Sequence, residues 1–149
     1  MSNATTSKRA TIACPVCDAL NGVDLERLVD GPRCGECGRP LQLDRPQPIS
    51  AEALDRIVAE TDVPVVIDFY ADWCGPCRLM APILDALALE RAGEVLVGKL
   101  DTDRYPAVTM RFGVRGIPTL IVFSGGREVA RQVGAMSRSA LDALLGSSS

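Results

Sequence analysis

The chain has 149 residues, of which 47% are hydrophobic and 23% are charged, a balance that excludes a wholly disordered protein. The formal net charge is −3, and residues 1–45 contain six basic and six acidic residues. Because no basic block is present, we expect no nucleic acid among the partners. The length suits one ordinary domain with a small additional module.

The N-terminal segment from Met1 to Thr11 is polar and lacks the apolar centre of a secretory signal peptide. Ser2-Asn3-Ala4 resembles a remnant of cloning, so we expect residues 1–7 to be a disordered tag remnant. No apolar run approaches the roughly 20 residues that a membrane helix needs. We therefore expect a cytoplasmic protein that does not enter a membrane.

Two of the three C-x-x-C pairs lie in residues 8–45. The pairs Cys14/Cys17 and Cys34/Cys37 are separated by 16 residues, which is the spacing of four-cysteine zinc sites. The chain contains no histidine, and four thiolates suit a closed tetrahedral Zn²⁺ site. We predict a zinc-ribbon-like module with one structural Zn²⁺, which supplies the stability that so short a segment lacks. An iron site, two disulfides, or a module that releases zinc on oxidation are the alternatives.

A connector with two prolines, Leu43–Pro48, separates this module from residues 46–149. Apolar periodicity beyond it predicts alternating helices and strands, beginning with a helix. Their approximate ranges are 51–60, 63–70, 74–91, 95–100, 105–111, 119–123, 128–133 and 138–145. This order predicts an α/β domain with a central sheet, a parallel first crossover and a final antiparallel hairpin.

The third pair, Cys74 and Cys77, lies where a buried strand is predicted to end and a long helix to begin. Disulfide exchange needs a nucleophilic thiolate and a second thiol that can attack the same sulfur. A helix N-terminus stabilises a thiolate, and the i, i+3 spacing brings Cys77 close to Cys74. Pro76 suits a first helical turn. Alternatively, the two cysteines would be metal ligands or buried core residues.

The segment Val66-Ile-Asp-Phe-Tyr-Ala-Asp-Trp-Cys-Gly-Pro-Cys77 resembles the active-site segment of the thioredoxin family. Gly116-Ile-Pro-Thr119 resembles the family loop that faces the cysteines and contains a cis proline. The resemblance covers about residues 49–146 and implies the thioredoxin fold, a central mixed sheet flanked by helices. With its N-terminal cysteines, the whole chain resembles the bacterial thioredoxins that carry a zinc-binding extension.

The resemblance implies the catalytic roles. Cys74 would attack a substrate disulfide and Cys77 would resolve the mixed disulfide. Asp68 resembles the family's buried carboxylate, which helps to deprotonate the resolving cysteine, and Lys99 resembles its lysine partner. We expect a raised pKa for Asp68, because a carboxylate in so apolar a strand is costly to ionise. Alternatively, Asp68 is a structural polar residue and Lys99 a solvated surface lysine.

The resemblance also implies a substrate groove around the cysteines. A cis Pro118 would expose the Ile117 backbone for pairing with an extended substrate segment, whereas an ordinary trans proline would only form a turn. Trp73 and Pro76 could instead serve mainly to set the shape of the loop. The expected substrate-binding residues are Trp73, Gly75, Pro76, Gly116, Ile117, Pro118 and Gly134.

The sequence therefore predicts a protein-disulfide reductase that acts on disulfide-containing proteins and is recycled by thioredoxin reductase. It contains no G-x-G-x-x-G motif, so we expect no bound nucleotide. We expect a monomer. A disulfide oxidase or isomerase with the same fold is one alternative. An adaptor or chaperone in which the ribbon grips a partner is another.

Overall fold

A computed structural model describes residues 7–146 of the chain. The predicted tag remnant therefore lies outside the described residues, except for Ser7. The N-terminal part contains strands β1 (Arg9–Ala13) and β2 (Leu20–Asp24), followed by a 3-10 helix, Leu25–Asp30. The remaining elements are β3 (Gln47–Pro48), α1 (Ala51–Glu60), β4 (Val65–Tyr70), α2 (Gly75–Glu90), β5 (Leu96–Asp101), α3 (Pro106–Arg111), β6 (Thr119–Ser124), β7 (Arg127–Val133) and α4 (Arg138–Gly146).

The central sheet has five strands in the order β3-β5-β4-β6-β7. Strand β4 pairs with β5 in parallel and with β6 antiparallel, and β6 and β7 form an antiparallel pair. The predicted mixed sheet, its parallel crossover and its final hairpin are therefore confirmed. Five of the six residues of β4 are fully buried, which agrees with its continuous apolar sequence.

The alternation of side chains along β4 divides the core into two layers. Val65, Ile67 and Phe69 pack on the side of α1, whereas Val66 packs on the side of α2 and α4. Ser50 caps α1, as predicted, by accepting a hydrogen bond from the Ala53 N–H at 3.2 Å. Asp68 is two residues after Val66 in the same strand, so its side chain also points to the α2 side of the sheet.

The N-terminal module shares one apolar core with the rest of the protein. Ile12 and Val23 of its hairpin belong to the same buried cluster as Leu54 and Ile57 of α1. Two hydrogen bonds join β1 to the end of α1, from Thr11 N–H to Thr61 Oγ1 at 3.2 Å and from Thr11 Oγ1 to Glu60 at 2.9 Å. The module and the sheet domain therefore pack directly against each other.

Two local features differ from the sequence analysis. Residues 8–45 contain the β1-β2 hairpin, although they show no sustained periodicity. Within the predicted connector, Gln47 and Pro48 form β3 and pair with β5. A proline is tolerated there because β3 lies at the edge of the sheet. Among residues 7–146, no helix combines the length and apolar character that crossing a bilayer requires.

Candidate active site and metal centre

Cys74 is the N-cap residue of α2 and forms a disulfide with Cys77. The Cα atoms of the two residues are 5.2 Å apart. The Cys77 N–H donates to Cys74 Sγ at 3.2 Å, and Pro76 lies in the first turn of the helix as predicted. The first-turn N–H groups and the helix dipole therefore favour a thiolate on Cys74 once the disulfide is reduced.

The disulfide lies in a small apolar cluster with Ala71, against Tyr70 and Ile117. Its sulfur atoms are shielded, since Cys74 is 3% exposed and Cys77 is 5% exposed. The Ile117 carbonyl oxygen lies 3.8 Å from Cys74 Sγ. The Ile117–Pro118 peptide bond is cis, as the family resemblance implies.

The predicted groove residues surround this cluster. Trp73 is 67% exposed, and its indole N–H donates to Asp103 at 2.8 Å. A cavity of about 280 Å³ runs between Trp73 and Ile117. Gly134 donates its N–H to the Pro118 carbonyl at 2.7 Å and has a φ of 96°, which glycine adopts without strain.

The other two groove glycines lie close by. A Cβ atom on Gly116 would come within 3.2 Å of Val133, so this glycine lets the loop approach β7. Gly75 is exposed at the first position of α2. The sequence analysis missed Asp103, although its position just after β5 places it at the same sheet edge as Trp73.

Asp68 is a buried carboxylate on the α2 side of the sheet and is only 1% exposed. Neither of its oxygen atoms has a hydrogen-bond partner among residues 7–146. Burial raises the pKa of Asp68 to about 7, against the opposing charge of Lys99. The carboxyl group can therefore exchange a proton near neutral pH, in a chain without histidine.

Lys99 lies directly opposite Asp68 in the paired strands β4 and β5. It is half-buried, and its ammonium group lies over the ring of Tyr70, 4.5 Å from the ring centroid. The structure therefore places Asp68 and Lys99 on the α2 side of the sheet, with Tyr70 as a further neighbour of Lys99.

The four N-terminal cysteines converge on one point, with their sulfur atoms all within 4.8 Å of one another. Cys14 and Cys37 are 3.7 Å apart at sulfur, and Cys17 and Cys34 are 3.5 Å apart. A tetrahedron with Zn–S bonds of about 2.3 Å has sulfur–sulfur edges of about 3.8 Å, so these cysteines fit Zn²⁺. Their chemistry and geometry make the cluster a metal site.

Two equivalent turns present these sulfur atoms. The Val16 N–H points to Cys14 Sγ and the Glu36 N–H to Cys34 Sγ, both at 3.4 Å. The backbone N–H of Cys37 and the amide of Asn21 lower the pKa of Cys34 to about 6. Asn21, on β2, was missed because its place in the hairpin was not predicted. Its side chain also accepts from the Gly35 N–H at 2.9 Å, which fixes its orientation.

The Asp68 carboxyl group predicts a specific dependence of stability on pH. The pKa of Asp68 is about 7 in the folded chain and 3.8 ordinarily, so folding favours the protonated form. The contribution of this group to the unfolding free energy is therefore fully present below pH 3.8. It is lost as the pH rises to about 7, at a total cost of about 4 kcal/mol. Between pH 4 and pH 8, the unfolding free energy of the parent should therefore fall by about 3–4 kcal/mol relative to that of Asp68→Asn, whose amide does not titrate. Urea unfolding of the oxidised proteins measures this difference.

The exposed Asp85→Asn variant provides the control and should follow the parent at every pH. Parallel stability profiles for the parent and Asp68→Asn would show that Asp68 does not titrate abnormally.

Comparisons with known proteins agree with these two sites. The family model described as Thioredoxin matches residues 46–147, and the model described as Thioredoxin 2, N-terminal matches residues 13–39. Thioredoxin C-3 of Corynebacterium nephridii is 38% identical over 125 residues, 84% of this chain and 86% of that protein. Thioredoxin 1 of Nostoc sp. is 46% identical over 88 residues, 59% of this chain and 82% of that protein.

A solved structure supports the same assignment. A mutant thioredoxin from Halobacterium salinarum superimposes with a TM-score of 0.66 at 37% identity, covering 72% of this chain and 94% of that one. The buried disulfide at a helix N-terminus provides the matching redox chemistry. The chain therefore belongs to the thioredoxin family of thiol–disulfide oxidoreductases, and carries the N-terminal zinc-ribbon domain of thioredoxin 2.

Proposed function

We propose that this protein is a protein-disulfide reductase that acts by dithiol–disulfide exchange through its Trp73-Cys-Gly-Pro-Cys77 motif. The observation that carries the proposal is the Cys74–Cys77 disulfide at the N-terminus of α2, above a buried carboxyl group with a pKa near neutrality. A reductase needs both an activated thiolate and a nearby acceptor for the proton of the second thiol.

The reaction starts from the reduced pair. The Cys74 thiolate attacks one sulfur of a substrate disulfide, forms a mixed disulfide and releases the other substrate sulfur as a thiolate. Cys77 then attacks Cys74 Sγ and releases the second substrate sulfur. The substrate gains two electrons, and the Cys74–Cys77 disulfide is restored.

The second step requires Cys77 to lose its proton. Cys77 is buried, and in the protein interior a thiol gives up its proton only to a nearby base. We assign this role to Asp68 as the carboxylate and place Lys99 beside it as the opposing charge. A pKa of about 7 leaves a substantial fraction of Asp68 ionised and ready to accept a proton at neutral pH.

The groove around the cysteines binds the substrate as an extended segment. The Ile117 backbone, 3.8 Å from Cys74 Sγ at its carbonyl oxygen, is placed to pair with such a segment beside the reacting sulfur. Trp73 offers an exposed apolar surface at one side of the groove. Gly75 and Gly134 leave open space for a substrate backbone to approach, and we assign Pro76, Gly116 and Pro118 to the shape of the groove.

We propose protein disulfides as substrates and thioredoxin reductase as the electron donor. A site of four free cysteines is maintained most readily in a reducing compartment, which supports a cytoplasmic location. The balanced charge of the ribbon supports the absence of nucleic-acid binding. The exchange site is built from one chain, so we propose an active monomer.

We further propose that Cys14, Cys17, Cys34 and Cys37 hold one Zn²⁺ with a structural role. The ion would supply the positive charge that lets four close thiolates coexist. Because the module packs into the common core, the bound ion would also stabilise the sheet domain.

Reduction of insulin disulfides with NADPH and thioredoxin reductase tests the proposed activity. The parent chain should turn over, and Cys74→Ser should lose at least about 1,000-fold in rate because the attacking thiolate is gone. The exposed Ser139→Ala variant controls for effects of mutagenesis and purification and should keep the parent rate. An inactive parent, reduced and loaded with zinc, would contradict the proposal and favour an oxidase or an adaptor.

Metal analysis tests the proposed ion. The full chain should contain one zinc per molecule, Cys37→Ser should lose most of it, and Cys77→Ser should retain it. Removal of the metal by a chelator should lower the unfolding free energy of the whole chain by more than about 3 kcal/mol, in a single transition. Iron in the site, or full zinc retention by Cys37→Ser, would refute the assignment.

A further inference from the structure

Three side chains lie together on the α2 side of the sheet. Asp68 and Tyr70 are two residues apart in β4, so their side chains point to the same face. Lys99 is the direct partner of Asp68 in β5, and therefore lies on that face too. Tyr70 in turn contacts the apolar cluster that contains Cys74 and Cys77. The tyrosine side chain thus packs against the cluster of the redox pair and also contacts Lys99.

The Lys99 ammonium group and the Tyr70 ring make a cation–π contact at 4.5 Å. Such a contact is stronger where it is shielded from water, and Lys99 is half-buried. A lysine side chain has four flexible carbon atoms and loses rotamer entropy when it is fixed, so a contact that holds its ammonium group affects where the charge lies.

The same lysine lines a cleft that also contains carboxylates. This cleft has a volume of about 460 Å³ and lies where the first cysteine turn meets the sheet domain. Tyr70 and Lys99 line it together with the acidic residues Asp18, Glu52 and Asp101. A lysine released from the ring could turn toward any of these carboxylates and away from Asp68.

We propose that Tyr70 is a positioning residue for the proton-transfer step, because its ring holds the Lys99 ammonium group on the face of the sheet that carries Asp68 and away from the acidic residues of the cleft. The inference rests on the proposed function of Asp68 as the proton acceptor for Cys77. It adds a residue that touches neither the substrate nor the reacting sulfur. Tyr70 acts through Lys99, which in turn acts on the ionisation of Asp68.

Several other ionisable groups surround this arrangement and must be kept constant in any test. Asp72 and Asp101 act on Tyr70 from the ends of β4 and β5, and Arg104 acts on it from the loop before α3. Glu52 of α1 and Asp18 of the ribbon face Lys99 across the cleft. Cys77 of α2 stays in its disulfide throughout the first measurement, so it does not titrate.

The test is a double-mutant cycle on the full-length, zinc-loaded, oxidised chain. The pKa of Asp68 is followed by the ¹³C carboxyl chemical shift between pH 5 and pH 9. Lys99→Met removes the charge and should raise this pKa by about 1, since a nearby opposite charge lowers a carboxyl pKa by about 1–3. Tyr70→Leu should raise it by about half as much. Tyr70→Phe, which keeps the ring, should leave it unchanged.

The double variant distinguishes the positioning of Lys99 by the Tyr70 ring from simple shielding of Asp68 by that ring. If Tyr70 acts through Lys99, Tyr70→Leu should cause no further rise in the Lys99→Met background. An equal change in both backgrounds would show that the ring only shields Asp68 from water, and would overturn the proposal. No change in Tyr70→Leu, or a fall in the pKa, would overturn it as well.

A kinetic measurement distinguishes this inference from the function on which it rests. The pH dependence of mixed-disulfide resolution should move to higher pH in Tyr70→Leu and stay in place in Tyr70→Phe. The pKa of Asp68 could change in the variants as predicted while the pH dependence of mixed-disulfide resolution stays the same. In that case Tyr70 positions Lys99 as proposed, and the role of Asp68 as proton acceptor is wrong.

Discussion

The junction between strand β4 and helix α2 is the constraint on which the redox site depends. The strand is buried on both faces, so its direction is fixed by neighbours on either side. Helix α2 begins five residues after the end of the strand, and the N–H of Cys77 in its first turn donates to the sulfur of Cys74. The same strand carries Asp68 into the layer on the α2 side of the sheet, where burial raises its pKa to about 7. One rigid element therefore positions both Cys74 and Asp68.

The metal module is integrated into this framework through a shared core. Its hairpin places Ile12 against α1, and its first cysteine turn borders the cleft that contains Lys99. The module therefore contacts the sheet domain on the α1 side and reaches the edge of the proton-handling residues. Asn21 shows how closely hairpin and metal site depend on each other, since it contacts Cys34 from β2. A change in the metal site is expected to affect the packing of α1 as well.

Much of this arrangement could be predicted, and the exceptions have physical causes. Strong periodicity identified α1 and α2, and the β-branched run identified β4, because burial dominates the sequence there. The cysteine spacings indicated which cysteines come together, and the structure brings Cys74 to Cys77 and gathers the other four in one cluster. The β1–β2 hairpin was missed because neither strand alternates regularly between buried and exposed residues: the last four residues of β1 are all buried, whereas in β2 only Val23 is buried. The contacts of Trp73 with Asp103, and of Lys99 with Tyr70, depend on tertiary placement and have no local signal.

We propose that Cys74 reacts with substrates and that the four N-terminal cysteines do not. Two of those four, Cys17 and Cys37, are exposed, so the claim is open to a direct test. In the Cys77→Ser variant, the mixed disulfide with a protein substrate cannot be resolved and should accumulate. Peptide mapping by mass spectrometry should find the substrate linked to Cys74, with the zinc cysteines unmodified. A substrate linked to Cys17 or Cys37, or the absence of any trapped complex, would contradict the account.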